Sequence, residues 1–158
     1  MRALWGALLW TLFLLLSLSL HRREGKRRLA EYKGLCRLVA HIKHALAGAP
    51  EPQSQIFARF SDDALARAGF LSLLQRDGLL SALSSGVLHL DESEMSPFKE
   101  YAEGLGSRLY AEEKQRADAL LHTVEEILKE KEASFPGRER LAGTLFFSGG
   151  MLLLLLLL

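Results

Sequence analysis

An uncharged stretch of apolar and small residues runs from Leu141 to Leu158 and ends in seven leucines. Few environments accept such a stretch. As a helix, about 18 residues at roughly 1.5 Å each reach about 27 Å, close to the hydrocarbon thickness of a bilayer. The reading is a transmembrane helix over 138–158. A second apolar run, Ala3 to Leu20, has a similar length and reads as a transmembrane helix over 1–20. The residues between them, 21–137, then form one domain held at both ends by membrane, and roughly 120 residues suffice for a single small core.

Charge sets the expected orientation. Just after the first run stand Arg22, Arg23, Lys26, Arg27 and Arg28, opposed only by Glu24, and just before the last run stand Arg138 and Arg140. Basic flanks stay on the cytoplasmic side, so the middle domain is expected in the cytoplasm and both termini across the membrane. Ser17-Leu18-Ser19 also fits the small-x-small site of a secretory signal, which leaves open an exported binding protein anchored only by its last run. The basic cluster after it opposes translocation. The overall charge of +1 with 25% charged residues lacks the basic excess of a nucleic-acid binder.

The middle domain reads as helical throughout. From Arg22 to Ala47, Leu29, Tyr32, Leu35, Cys36, Val39, Ile42 and Leu46 recur at three- and four-residue steps, one apolar stripe on a helix. Gly48-Ala49-Pro50-Glu51-Pro52 stops it, and Pro52 suits the first turn of a short helix carrying Ile56, Phe57 and Phe60. Ser61-Asp62-Asp63 offers N-cap oxygens to a helix with Leu65, Phe70, Leu71 and Leu74 on its face, broken at Asp77-Gly78. Another short helix carries Leu79, Leu80 and Leu83. Asp91 and Glu94 have the spacing of a capping box, but Pro97 predicts a kink there or a fresh start with Ser96 as cap. Tyr110 to Ala133 should be the longest soluble helix, with Phe135-Pro136-Gly137 as a hinge into the last run. The expected fold is all-α, a small antiparallel helical bundle between two transmembrane helices.

Chemistry is scarce. His41 and His44 lie three apart on one helix, but no carboxylate pattern accompanies them and Lys43 is adjacent, so they read as ordinary helix histidines rather than a metal site. The single cysteine, Cys36, sits on the apolar stripe, which points to a buried small side chain. No serine occupies a glycine-flanked elbow and no glycine-rich loop ends in Lys-Ser or Lys-Thr. The expectation is no enzyme, no cofactor and no metal. From Asp91 to Glu132 acids outnumber bases, and Glu112, Glu113, Glu125 and Glu126 read as a solvent-facing acidic surface on which a partner docks.

The order of parts resembles the stage III sporulation protein AB family. Three stretches carry the resemblance: Ala47-Gly48-Ala49-Pro50 after the first long helix; Leu105-Gly106 followed by a polar link and Gln115; and Arg140-Leu141-Ala142-Gly143-Thr144-Leu145 entering the last run. Between Gly106 and Gln115 this chain has a slightly longer segment and no aspartate. The resemblance implies a soluble part similar to the cytoplasmic domain of type II secretion protein F, a small helical bundle that serves as an inner-membrane assembly platform. It further implies a non-enzymatic component of the channel complex joining mother cell and forespore, facing the mother-cell cytoplasm and needed for late forespore gene expression. The implied partners are an AA-type ATPase and other membrane proteins of that complex, with a homo-oligomer also open. Leu105, Gly106 and Gln115 carry over as structural residues, Gly106 for a turn and Gln115 for a polar contact near it. A general secretion or pilus platform is the alternative in the same structural class.

Overall fold

The computed structural model describes the backbone of residues 2–48, 51–107 and 109–157 and the side chains of residues 16–17, 19–48, 51–107, 109–134, 144 and 148. The described residues are all-α: α1 (Arg2–Ala45), α2 (Gln53–Ala58), α3 (Asp63–Arg67), α4 (Phe70–Asp77), α5 (Leu79–Ser84), α6 (Glu92–Glu103) and α7 (Tyr110–Leu157). Two compact units divide them, one of residues Arg27–Lys129 and one of Met1–Lys26 with Glu130–Leu158.

In the second of these units the backbone is helical through both apolar runs. Their side chains lie almost wholly outside the described residues, and so does the reading of them as transmembrane helices. Among the described residues, no helix is long and apolar enough to cross a membrane. The hinge expected at Phe135-Pro136-Gly137 is absent, because α7 runs through Pro136 without a break. A proline removes one ladder bond, and the long helical runs on either side keep the turn.

The Arg27–Lys129 unit is built on the stripe of α1. Tyr32, Leu35, Cys36, Val39, Ile42 and Leu46 are all buried, as the three-four spacing requires. Opposite them α7 contributes Ala117 and Val124, both fully buried. The two helices are antiparallel here, since Cys36 meets Val124, Lys43 pairs with Asp118, and Tyr110 reaches Ala45. The short helices supply the rest of the core, with Phe57, Leu65, Phe70, Leu74, Leu83 and Phe98. Phe98 meets Tyr32 edge-on, ring centroids 5.6 Å apart, a favoured aromatic geometry.

Local chemistry sets the helix ends. Asp62 caps α3, its Oδ1 accepting from Ala64 N at 2.9 Å and Leu65 N at 3.1 Å. The single helix expected from Leu65 to Leu74 is two, because Gly69 takes φ 79° between α3 and α4, a conformation that side chains disfavour. The capping box forms at Asp91 and Glu94. Helix α6 therefore starts at Glu92 and passes through Pro97, and Ser96 is not a cap. Burial of Met95, Phe98, Tyr101 and Ala102 holds the helix across the proline.

Candidate functional site

Among the described residues of the Arg27–Lys129 unit, three acidic side chains are buried: Glu31, Asp62 and Glu113. A carboxylate out of water costs several kcal/mol unless paired and hydrogen-bonded, so the partners of each reveal its task. Glu31, 1% exposed, accepts from Arg27 Nε at 3.1 Å and from His89 N at 2.7 Å, and lies 3.2 Å from His89 Nδ1. It ties the loop before α6 to α1. Asp62 adds to its capping bonds an ion pair with Arg37 at 2.8 Å. These two are joints of the fold.

Glu113 differs. It is 4% exposed, its Oε1 accepts from Gly106 N at 2.7 Å, and no cation pairs with it among the described residues. One hydrogen bond to a charged acceptor contributes about 1.5–3 kcal/mol, and the N-terminus of α7 contributes up to about 2 kcal/mol. Those terms come close to cancelling the burial cost and leave no surplus. Arg116, one turn on, is directed elsewhere: its Nη2 donates to Glu100 O at 3.3 Å and its guanidinium lies 5.6 Å over the Tyr101 ring.

The turn that brings Gly106 to Glu113 follows from sequence. Gly106 has φ 86°, a backbone conformation that calls for glycine; a β-carbon there would come within 2.6 Å of Gln53 Nε2, the movable end of an exposed side chain. Helix α7 then begins at Tyr110, whose hydroxyl lies within donating distance of Ala45 O at 3.2 Å and Gly48 O at 3.1 Å. Both are carbonyls at or just past the C-terminal end of α1, and Ala45 O also accepts from Gly48 N at 3.2 Å. Between the end of α1, α2 and this turn lies a cavity of about 180 Å³. Ile42, Leu46, Ile56, Phe57 and Leu105 give it apolar walls, and Glu51, Gln53, Tyr110 and Glu113 its polar groups. Glu51 is already paired, both oxygens accepting from Arg59 Nη1 at 3.0 and 3.1 Å. Leu109, 74% exposed, follows the turn.

The residues singled out by sequence separate accordingly. Leu105, Gly106 and Glu113 meet at the cavity. Gln115 is exposed, and the polar contact with Gly106 is made by Glu113. Glu112, Glu125 and Glu126 are exposed, with Glu126 lying 3.8 Å from His122. Glu113 does not share that surface. Adjacent helical residues point about 100° apart, so Glu112 faces water while Glu113 turns inward.

Burial pushes the Tyr101 phenol up to about 12, the Glu113 carboxylate adding to the rise and Arg116 opposing it. The Tyr101 hydroxyl is buried with no hydrogen-bond partner among the described residues. Burial likewise pushes the Cys36 thiol up to about 12, which makes it a poor nucleophile at neutral pH. His41 Nε2 lies 3.0 Å from Ile56 O and its ring packs on Phe60. Among the described residues, no three His, Cys, Asp or Glu side chains cluster to hold a metal. Missed in the sequence were Glu31, Gln53 and Tyr110; only Glu31, an acid inside a basic stretch, left a signal there. No family model, curated protein or solved structure matches the chain.

Proposed function

We propose that this chain is a non-enzymatic component of a membrane assembly platform, of the kind the stage III sporulation AB resemblance implies, in the channel complex between mother cell and forespore. The observation that supports the reading most is the fate of its buried polar groups. Glu31 and Asp62 are fastened to helix ends and loops, which suits a rigid docking body. The apolar runs 3–20 and 141–158, each with a basic flank, supply the anchors. In this reading the bundle faces the mother-cell cytoplasm and docks an AA-type ATPase or a neighbouring copy.

Glu112, Glu125 and Glu126 remain the candidate acidic docking surface, without Glu113. Interactions at such exposed charge weaken in salt, so ATPase binding should fall with ionic strength and on reversing these three charges. Indifference to both would remove the acidic surface from the proposal. The orientation is tested by placing a cytoplasm-only fluorescent reporter and an export-only phosphatase in turn after Gly86, with both apolar runs kept. Fluorescence without phosphatase activity is expected. Phosphatase activity without fluorescence would overturn the reading in favour of an exported, tail-anchored binding protein.

A further inference from the structure

The geometry points to the cavity beside Gly106 as the receptor for a single lysine side chain, presented between apolar residues by a partner protein. The cavity, about 180 Å³, lies below the roughly 300–1,000 Å³ of ordinary small-molecule pockets. It has the scale of one long side chain. Its walls are apolar and suit a methylene stem. Glu113 also lines the cavity, its carboxylate buried and meeting no cation among the described residues.

Complementarity selects the charge of the occupant and then its shape. Glu51 is neutralised by Arg59, so Glu113 is the lining group that a cation would satisfy. One of its oxygens already accepts the Gly106 N–H, and a cavity of this size suits a compact ammonium better than the larger planar guanidinium of arginine. A compact ammonium needs one oxygen. Exposed Leu109 offers apolar surface beside the turn for residues flanking the lysine. The inference deepens the platform reading by naming the chemistry of a docked partner, and it rests on that reading only for where the lysine comes from.

The test uses the full chain, isotopically labelled, in lipid nanodiscs, titrated with acetyl-Leu-Lys-Leu-amide and followed by the amide resonances of Leu105, Gly106 and Tyr110. Two further peptides replace the lysine by norleucine, which keeps the stem without the charge, or by arginine. Saturable shifts are expected with lysine, with binding roughly fivefold or more weaker for norleucine and also weaker for arginine. Glu113→Gln, whose amide oxygen still accepts from Gly106, should erase the preference for lysine over norleucine. Equal binding of lysine and norleucine peptides, or no saturable shift at Gly106, would overturn the proposal. So would an intact lysine preference in Glu113→Gln. Arg108 lies outside the described residues, and about tenfold tighter lysine binding in Arg108→Gln would assign the cation to the chain itself and likewise overturn it. If Glu113→Gln fails to fold, the norleucine comparison on the unaltered chain decides alone. Failure of the reporter test after Gly86 would remove the platform reading and leave this titration standing, whereas failure of the titration leaves the topology untouched.

Discussion

Glu31 and Glu113 are nearly equally removed from water, at 1% and 4% exposure, yet their surroundings are opposite. Glu31 meets the Arg27 guanidinium and the backbone N–H of His89, a residue 58 positions away in sequence. Glu113 receives one N–H from a turn seven residues back. The first carboxylate is consumed by long-range structure; the second closes a local turn and lines a cavity with no cation paired to it among the described residues. The contrast separates what holds the bundle together from what it has available for a partner.

The largest expected effect abolishes the contrast altogether. Burial raises the Cys36 thiol from 9.0 to about 12 and the Tyr101 phenol from 10.0 to about 12, and raises Tyr32 further still. In each case the folded state disfavours the ionised form. This contribution to stability is therefore intact below the unfolded-state values and is lost as pH climbs from about 9 towards 12. Each group weakens the fold by up to about 1.4 kcal/mol per pH unit above its ordinary value, 9.0 for Cys36 and 10.0 for the two tyrosines. Thermal unfolding followed by far-ultraviolet circular dichroism should show the midpoint dropping steeply above pH 9, and less steeply in Cys36→Ala. A flat alkaline profile would contradict the burial of these groups.

The next changes probe the two kinds of carboxylate. Glu31→Ala should cost about 2–3 kcal/mol, since it leaves the part-buried His89 N–H unsatisfied and removes a charge-assisted bond. Asp62→Ala should cost about 1–2 kcal/mol through loss of the α3 cap; its ion pair with Arg37 adds little because that arginine is 63% exposed. Glu113→Gln should move stability by no more than about 0.5 kcal/mol, because its amide oxygen can still accept from Gly106 and no ion pair is broken. Urea denaturation of the three variants under one condition gives the ranking. Equal losses for Glu31→Ala and Glu113→Gln would mean that Glu113 is another structural joint.

Much of the bundle was legible because helical periodicity is a local property. The apolar stripe from Tyr32 to Leu46 and the Asp91–Glu94 capping box needed no tertiary information. The errors fall where a local signal competes with packing. Gly69 sits inside a continuous apolar pattern and only its positive φ reveals the break. Pro97 read as a kink or a fresh helix start and Pro136 as part of a hinge, yet both lie inside helices. The cavity was half legible. Leu105 and Gly106 stood out, but the pair Glu112-Glu113 looked like one charged patch, and its inward member is chosen by the direction from which α7 meets the Gly106 turn. The contributions of Gln53 and Tyr110 depend on α2 and the end of α1 arriving at the same corner, which no local pattern encodes.

The smallest effect bears most directly on the charge state of that corner. Tyr101 is held up chiefly by burial, and after burial by the negative charge of Glu113. Glu113→Gln removes that second cause while leaving the ring buried. The tyrosinate absorbance should then develop at a slightly lower pH in Glu113→Gln than in the unaltered chain. Glu112→Gln, which removes an exposed carboxylate one residue away, is a matched control, because solvent screens its charge. A shift in the first variant and none in the second would place a negative charge at the cavity. Coincident curves for all three proteins would mean that Glu113 exerts no field on Tyr101, and the difference between its corner and that of Glu31 would reduce to one of hydrogen bonding.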